Sequence, residues 1–177
     1  MAALAGVRAT AGRAAEAVEL IDRAVAIQLR QSGPDASATL FARSSRGSIL
    51  HDLRRYDAAI SELTEVAAAI ERTQGESDEL VATLFALGAS LVAAEQAAAA
   101  VAPLSRALEL STRQRARPER HAAIAMLLAQ ALRRSDGDPA RARALATEAR
   151  DRWATLGPAF AGEHERAAAW LAAPTTQ

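Results

Sequence analysis

The sequence predicts an all-α protein built from repeated pairs of antiparallel helices. Three observations support this class. About a quarter of the 177 residues are alanine, aromatic residues make up only 3%, and an apolar pattern returns at an interval of about 41 residues. Alanine is the strongest helix former, whereas the residues that favour strands are sparse. A long fixed interval is typical of stacked helical units that bury their apolar faces against one another.

The second helix of each pair is marked by a run of small and apolar residues. These runs read GRAAEAVELIDRAVAI from Gly12, RRYDAAISELTEVAAAI from Arg54 and EQAAAAVAPLSRALEL from Glu95. Their apolar residues follow steps of four, three and one, which places them on one helix face. Pro103 falls inside the third run, so we expect a kink or a late helix start there.

The first helix of each pair is marked by a small residue that is followed three positions later by leucine. The small residues are Gly47, Gly88 and Ala129, and the leucines are Leu50, Leu91 and Leu132. Small residues allow two helices to approach closely, and the leucines fill the seam. Together with the turn signals, these patterns predict helices near 10–19, 36–53, 57–73, 78–94, 97–114, 118–134, 139–155 and 162–172.

The runs GRAAEAVELIDRAVAI and RRYDAAISEL resemble the second helix of a tetratricopeptide repeat (TPR), and Leu87-Gly88 resembles the Leu-Gly of its first helix. The long interval resembles that of kinesin-light-chain-like TPRs. The resemblance implies a right-handed α-solenoid over 1–155, with units 1–32, 33–74, 75–115 and 116–155. Residues 156–177 would then form a linker, a capping helix that contains Trp170-Leu171, and a short tail. The C-terminal part also resembles TPR regions of large bacterial serine/threonine kinases.

Two arginines depart from the repeat pattern. Arg43 and Arg46 stand where Leu84 and Leu87 stand in the next repeat. A buried arginine without a partner is costly. We therefore expect either a rotated or frayed helix, or ion pairs with acids such as Glu16 and Glu19 on the neighbouring helix.

The composition excludes several kinds of chemistry. The chain has no cysteine and no lysine, which removes thiolate metal sites, cysteine nucleophiles, the P-loop lysine and Schiff bases. His51, His121 and His164 lie far apart in sequence, so we interpret them as solvated or half-buried helix residues. The sequence predicts no enzyme activity, no cofactor, no metal and no nucleic-acid or membrane binding. We expect a cytoplasmic protein, because the N-terminus does not read as a signal peptide.

The TPR register implies a concave groove that is lined by the first helix of each pair. Transferred position by position, it implies a polar end, an apolar middle and a basic end. The residues are Ser44, Ser48, His51 and Asp52, then Phe85, Ala89 and Val92, and finally Met126, Gln130, Arg133 and Arg134. A groove of this kind fits a peptide with an apolar anchor and an acidic flank. Phe85, Val92 and Met126 would hold the anchor.

These features predict a non-catalytic scaffold that binds a protein segment. Two alternatives remain open at this point. The chain could be a regulatory or docking part of a bacterial signalling protein such as a serine/threonine kinase, or a helical arm of a transcription regulator. The gene neighbourhood would separate the three.

Overall fold

The computed structural model describes residues 14–114 and 117–173, and its regular structure in these ranges is entirely helical. Eight α-helices and one short 3₁₀ helix follow one another, with no strand in the described part. The helices are α1 (Ala14–Ser32), α2 (Ser37–Asp52), α3 (Tyr56–Gln74), α4 (Asp78–Ala93), α5 (Ala97–Arg113), α6 (Pro118–Arg134), α7 (Pro139–Leu156) and α8 (Ala161–Ala172). The 3₁₀ helix is Pro158–Phe160. The predicted all-α class is confirmed.

Seven of the predicted helices agree with the structure to within a residue at each end, but the first does not. The prediction ended that helix at position 19, whereas α1 continues to Ser32. The buried face carries on through Ile21 and Ala24, and the chain first turns at Gly33, where φ is 82°. The predicted start at position 10 lies outside the described residues.

Local capping explains why several helices begin where they do. The Ser77 hydroxyl accepts a hydrogen bond from the backbone N–H of Leu80 at the start of α4. The Asp138 carboxylate accepts from the N–H groups of Ala140 and Arg141 at the start of α7. These bonds satisfy backbone donors that have no partner within a helix. Pro118 and Pro139 occupy first-turn positions, where a missing N–H costs nothing.

The helices form two compact units. The described residues up to Glu95 make unit 1, which contains α1 to α4, and those from Gln96 make unit 2, which contains α5 to α8. The division falls inside the predicted repeat unit 75–115. Within each unit, helices that follow one another in the chain pack side by side. We call α2, α4 and α6 the first helices and α1, α3, α5 and α7 the second helices, after the predicted pairs, and α8 lies where the sequence predicts a capping helix.

The core of unit 1 depends on the small residue that the sequence pattern marks in α2. A Cβ atom added to Gly47 would lie 2.5 Å from the Cγ atom of Leu63 on α3. That distance is well below van der Waals contact, so only glycine lets Leu63 sit this close to the α2 backbone. Leu63 is completely buried, and Leu50 is also in the core. The predicted close approach of α2 and α3 is therefore present at this position.

Arg43 and Arg46 are neither buried alone nor placed on a frayed helix. Arg43 donates to Glu62 and to Glu65, with both distances 2.7 Å. Arg46 donates to Asp22 at 2.7 Å and to the other oxygen of Glu62 at 3.0 Å. We call these five residues the unit 1 charge cluster. It joins α2 to α1 through Asp22 and to α3 through the two glutamates.

The acids that pair with these arginines were not the ones suggested by sequence. Glu16 and Glu19 were the expected partners, but Asp22 and Glu62 take that place. The hydrogen bond to Glu62 raises the pKa of Arg43, an effect that burial partly offsets. The guanidinium therefore stays charged and half-buried with its counterions beside it.

Unit 2 contains the proline that the sequence places within a helix. α5 begins at Ala97 and runs through Pro103, so the expected late helix start is wrong. Proline removes the N–H that would bond to the carbonyl of the residue four positions earlier, which is Ala99. Ala99 is exposed, so water can take the place of the missing donor.

Candidate interaction surfaces

The first helices of unit 1, α2 and α4, are joined by polar side chains. The hydroxyls of Ser44 and Thr83 are 3.0 Å apart, and His51 Nδ1 lies 3.1 Å from the Ser90 hydroxyl. The His51 ring also packs at a tilt against Tyr56, with 5.5 Å between centroids. Two of the predicted groove residues, Ser44 and His51, are therefore engaged in the contact between α2 and α4.

Of the predicted groove residues in unit 1, some are accessible and some are not. Ser48 and Asp52 are exposed, and His51, Phe85 and Ala89 are half-buried. Ser44 and Val92 are buried, so they do not offer a surface to a partner as the sequence had suggested. For Ser44 the physical reason is its hydrogen bond to Thr83, which points the hydroxyl at the neighbouring helix.

The unit 2 residues divide in the same way. Arg134 is exposed, and Gln130 and Arg133 are half-buried. Met126 is buried, which corrects its expected role as an anchor for an incoming side chain. A long flexible side chain on a first helix can fold into the helix packing, and a helical register alone does not distinguish that from a groove position.

Arg133 holds α8 against the rest of unit 2. Its guanidinium lies over the ring of Trp170, 3.7 Å from the centroid, and donates to the Trp170 carbonyl at 3.2 Å. Arg143, on α7, donates to the Leu171 carbonyl at 3.2 Å. Cations beside the last carbonyls of a helix also complement its dipole. The two arginines therefore fix the C-terminal turn of α8.

A cavity of about 550 Å³ lies beside this turn of α8. Its wall combines charged, aromatic and aliphatic groups from the end of α6, the beginning of α7 and the end of α8. The lining residues used below are Arg133, Asp136, Pro139, Arg143, Trp170 and Leu171. The volume is in the range of sites that hold small molecules or a few side chains. We call it the α8 cavity.

A serine, a histidine and a glutamate form a hydrogen-bonded chain inside unit 2. Ser111 Oγ lies 2.7 Å from His121 Nδ1, and His121 Nε2 lies 2.9 Å from Glu148 Oε1. The same carboxylate oxygen accepts from Arg152 at 3.0 Å. Burial alone would raise the pKa of Glu148, but the hydrogen bonds from Arg152 and His121 outweigh it and hold that pKa below its ordinary value.

The hydrogen bonds among Ser111, His121 and Glu148 have the connectivity of a nucleophilic triad but not its geometry. In the triad the serine bonds to Nε2 and the carboxylate to Nδ1, and here the two are exchanged. Ser111 is only 1% exposed and His121 6%, and the Ser111 hydroxyl also donates to the Leu108 carbonyl at 3.1 Å. A substrate cannot reach a hydroxyl so enclosed. These hydrogen bonds instead join α6 to α5 and α7.

His121 therefore differs from the sequence interpretation, which took it for a solvated or half-buried residue. Its partners lie 10 and 27 residues away, on other helices. Thr83 and Ser90 were missed for a similar reason, since each hydroxyl is matched to a side chain 39 residues earlier. That separation is close to the repeat interval, which is the one sequence signal that could have found both pairs.

Metal centres and membrane-spanning helices are two further features that bear on function. In the described ranges, no group of three or more histidines and carboxylates could hold a metal ion. None of the described helices combines the length and the apolar character that a membrane crossing requires.

The chain resembles solved structures of repeat proteins, although no protein-family model and no curated protein matches its sequence. A Podosopora anserina kinesin light chain with nearly identical TPR-like repeats is 22% identical, with a TM-score of 0.77 over 94% of this chain and 82% of that one. A single-residue variant of the same protein gives a TM-score of 0.78 over the same shares. BtubC (BKLC) from P. vanneervenii is 19% identical, with a TM-score of 0.77 over 86% of this chain and 61% of that one.

At these identities the similarity establishes the fold. The chain has the TPR-like repeat fold that the sequence resemblance implied, with helices of the long kinesin-light-chain-like kind.

Proposed function

We propose that this protein is a non-catalytic scaffold that binds a segment of another protein along the exposed side of its first helices. The observation that carries the proposal is how the polar groups are used. In unit 2, three groups that could together do acid–base or nucleophilic chemistry, Ser111, His121 and Glu148, are bonded to one another within the helix packing. The first helices leave accessible a surface of polar, apolar and basic side chains, which suits contact with another protein.

That surface has the composition of a peptide-binding face. In unit 1 it combines the polar Ser48 and Asp52 on α2 with the half-buried Phe85 and Ala89 on α4. An aromatic ring that is only partly covered can bury more apolar area on binding, and such residues often contribute most of the binding energy. In unit 2, Gln130 and Arg134 add hydrogen-bonding and basic character on α6.

Photo-crosslinking from single positions tests the proposal directly. Benzoylphenylalanine replaces Phe85 in one variant and Gln130 in a second. Thr64, an exposed residue on the second helix α3, carries it in the matched control. We expect the same partner to be captured from Phe85 and from Gln130 and not from Thr64. Equal capture from Thr64, or different partners at every position, would contradict binding along the first helices.

The proposal includes a cytoplasmic location and a partner segment with an acidic flank, as the sequence suggested. The acidic flank of the partner segment is supported by the basic character of Arg133 and Arg134 at the end of α6. Attachment to a serine/threonine kinase or to a transcription regulator remains a prediction. Sequencing the reading frames on either side of the gene would test it.

A further inference from the structure

The wall of the α8 cavity carries charged groups of both signs that do not pair with each other. Two arginines, Arg133 at the end of α6 and Arg143 near the beginning of α7, donate to carbonyls in the last turn of α8. Asp136, in the turn between α6 and α7, lines the same cavity. Within the described ranges, no ion pair joins this carboxylate or either guanidinium to a charged side chain. Both kinds of charge are therefore open to a ligand.

The two arginines keep most of their hydrogen-bonding capacity. A guanidinium has five N–H donors, and each of these groups bonds to a single carbonyl in the described part of the chain. Burial lowers the pKa of Arg133, and the nearby charge of Arg134 lowers it further. An anion beside Arg133 would offset both effects, because it would favour the charged form of the guanidinium. This end of the cavity therefore favours a carboxylate.

The corresponding corner of unit 1 is closed by side chains. There His51, at the end of α2, lies within hydrogen-bond distance of Ser90 on α4 and packs its ring against Tyr56 at the start of α3. Two repeat intervals later, the positions of His51 and Tyr56 are taken by Arg133 and Asp138. The short Asp138 side chain caps α7 and supplies no ring to fill the corner. The opening beside α7 therefore follows from a difference between equivalent residues of the two units.

The turn that carries Asp136 is fixed by the backbone. The N–H of Gly137 donates to the Leu132 carbonyl at 2.8 Å. A Cβ atom on Gly137 would lie 2.9 Å from Leu132 Cδ2, so glycine allows the chain to return this closely. Asp136 has a φ of 52°, and Arg54 and Glu95 have the same left-handed conformation at the equivalent turns. The repeat backbone therefore places the Asp136 carboxylate before any ligand arrives.

We propose that the α8 cavity binds a small zwitterion with an apolar body, a chemistry that amino acids and dipeptides share. The carboxylate bonds to the two arginines, since arginine binds carboxylates through paired N–H donors. The ammonium pairs with Asp136, and the apolar body contacts Pro139, Trp170 and Leu171. The cavity volume of about 550 Å³ suits a small molecule of this class. The inference goes beyond the scaffold function and does not depend on it.

The test uses ligands that differ by one charged end. L-Leucine and the dipeptide alanyl-leucine carry both charges, N-acetyl-leucine lacks the ammonium, and leucine amide lacks the carboxylate. Each is added to the intact, isotope-labelled chain up to about 10 mM, and nuclear magnetic resonance follows the two indole N–H signals. We expect the signal of Trp170 to move, whereas that of Trp153, which lies outside the cavity wall, should stay in place.

The ligand series separates the two charges and the two sources of the zwitterion. Loss of either charge should weaken binding about tenfold or more, since each charge accounts for one charged hydrogen-bonded contact. Tighter binding of alanyl-leucine than of leucine would assign the cavity to dipeptides. The reverse order would assign it to amino acids.

Two substitutions locate the two ends of the ligand. Arg143→Gln should weaken leucine about tenfold and leave leucine amide unchanged, because the amide has no carboxylate to lose. Asp136→Asn should weaken leucine and leave N-acetyl-leucine unchanged, and asparagine tolerates the positive φ of this position. The matched controls are Arg150→Gln, on α7 but paired with Asp151, and Glu95→Gln, at the equivalent turn position in unit 1. Neither control should change binding, and far-UV circular dichroism verifies that all four variants fold.

An unmoved Trp170 signal with both leucine and alanyl-leucine would overturn the inference. Equal binding of leucine, N-acetyl-leucine and leucine amide would also overturn it, since such a site would recognise only the apolar body. Affinities that Arg143→Gln and Asp136→Asn leave unchanged would contradict the assigned ends. The crosslinks from Phe85 and Gln130 test the scaffold function separately, so failure of one proposal leaves the other standing.

Discussion

In both units, one polar side chain of a first helix bonds to the second helices on either side of it. The kind of bond differs: unit 1 uses an arginine with two carboxylates, and unit 2 uses a buried histidine with a serine and a glutamate. In unit 1, Arg46 on α2 reaches Asp22 on α1 and Glu62 on α3 at the edge of the core, where solvent is close. In unit 2, His121 on α6 reaches Ser111 on α5 and Glu148 on α7 from a buried position.

This difference teaches how a repeat position can change without loss of the fold. Arg43 and Arg46 of α2 stand where the next repeat carries Leu84 and Leu87, and they are tolerated because Glu62 supplies one carboxylate oxygen to each. The cost of moving charge out of water is reduced by leaving the cluster half-exposed. His121 and Ser111 are buried, so the histidine link should be the more sensitive of the two to substitution.

The largest expected effect is at His121. His121→Ala removes both hydrogen bonds and leaves a cavity among α5, α6 and α7, so we expect a loss of about 3 kcal/mol in the free energy of unfolding. Both tryptophans, Trp153 and Trp170, lie in unit 2, so urea unfolding followed by tryptophan fluorescence reports on that unit.

The matched control is His51→Ala in unit 1. His51 is half-buried and has one hydrogen bond, to Ser90, so its loss should cost only about 1 kcal/mol. If circular dichroism shows equal losses in the free energy of unfolding for His121→Ala and His51→Ala, the distinction between a buried and a half-buried histidine would be contradicted.

The next effect sharpens the comparison at the small-residue position. Gly47 in unit 1 leaves no room for a Cβ beside Leu63, whereas unit 2 accommodates the methyl group of Ala129 at the equivalent position. Gly47→Ala should therefore destabilise the protein by about 1–2 kcal/mol despite the higher helix propensity of alanine. Thermal unfolding measures it, and a stabilised variant would mean that Leu63 moves aside easily.

A smaller effect is expected in the unit 1 charge cluster. Glu62→Gln should cost about 1–2 kcal/mol, because Glu62 is only 12% exposed and serves both arginines. Glu65→Gln should cost less than about 1 kcal/mol, because Glu65 is 65% exposed. Urea titrations at low and high salt compare the two, and the loss from Glu62→Gln should shrink only partly in high salt, since burial limits screening.

The smallest effect is a dependence on acid pH in unit 2. The pKa of Glu148 is held below its ordinary value by Arg152 and His121, so the ionised carboxylate stabilises the fold at pH values above about 4.3. This contribution is lost as the pH falls below that value and the carboxylate takes up a proton. The stability difference between the wild type and Glu148→Gln, measured by urea unfolding from pH 7 to pH 3, should therefore narrow at low pH. A difference that stays constant would contradict the link.

The sequence predicted the helices well because helix boundaries depend on local chemistry. Asp138 and Pro139 mark the start of α7, and Gly33 marks the end of α1. Both signals are local and depend on no other part of the sequence. The first helix was predicted too short because the bound at position 19 cut across the apolar run from Gly12, which continues to Ile27.

The candidate site was predicted less completely. A helical register predicts the side of the helix on which a residue lies, but it does not predict which residues of other helices cover it. Phe85 and Gln130 are half-buried, whereas Ser44 and Met126, which the register placed in the same groove, are buried. Arg43 drew attention as a departure from the repeat pattern and His121 did not, and the partners of both lie on other helices that the sequence did not identify. Arg143 carried no signal until the structure placed it beside α8.

The most direct test of the scaffold account is the affinity of the Phe85→Ala variant for the crosslinked partner, measured beside its free energy of unfolding. Phe85 is half-buried on α4, and the account predicts binding weaker by about 2 kcal/mol or more, with only a small change in stability. Phe41→Ala, which removes an exposed ring on α2, should change neither quantity strongly. A loss of stability of about 3–5 kcal/mol with unchanged affinity would make Phe85 a core residue and contradict the account.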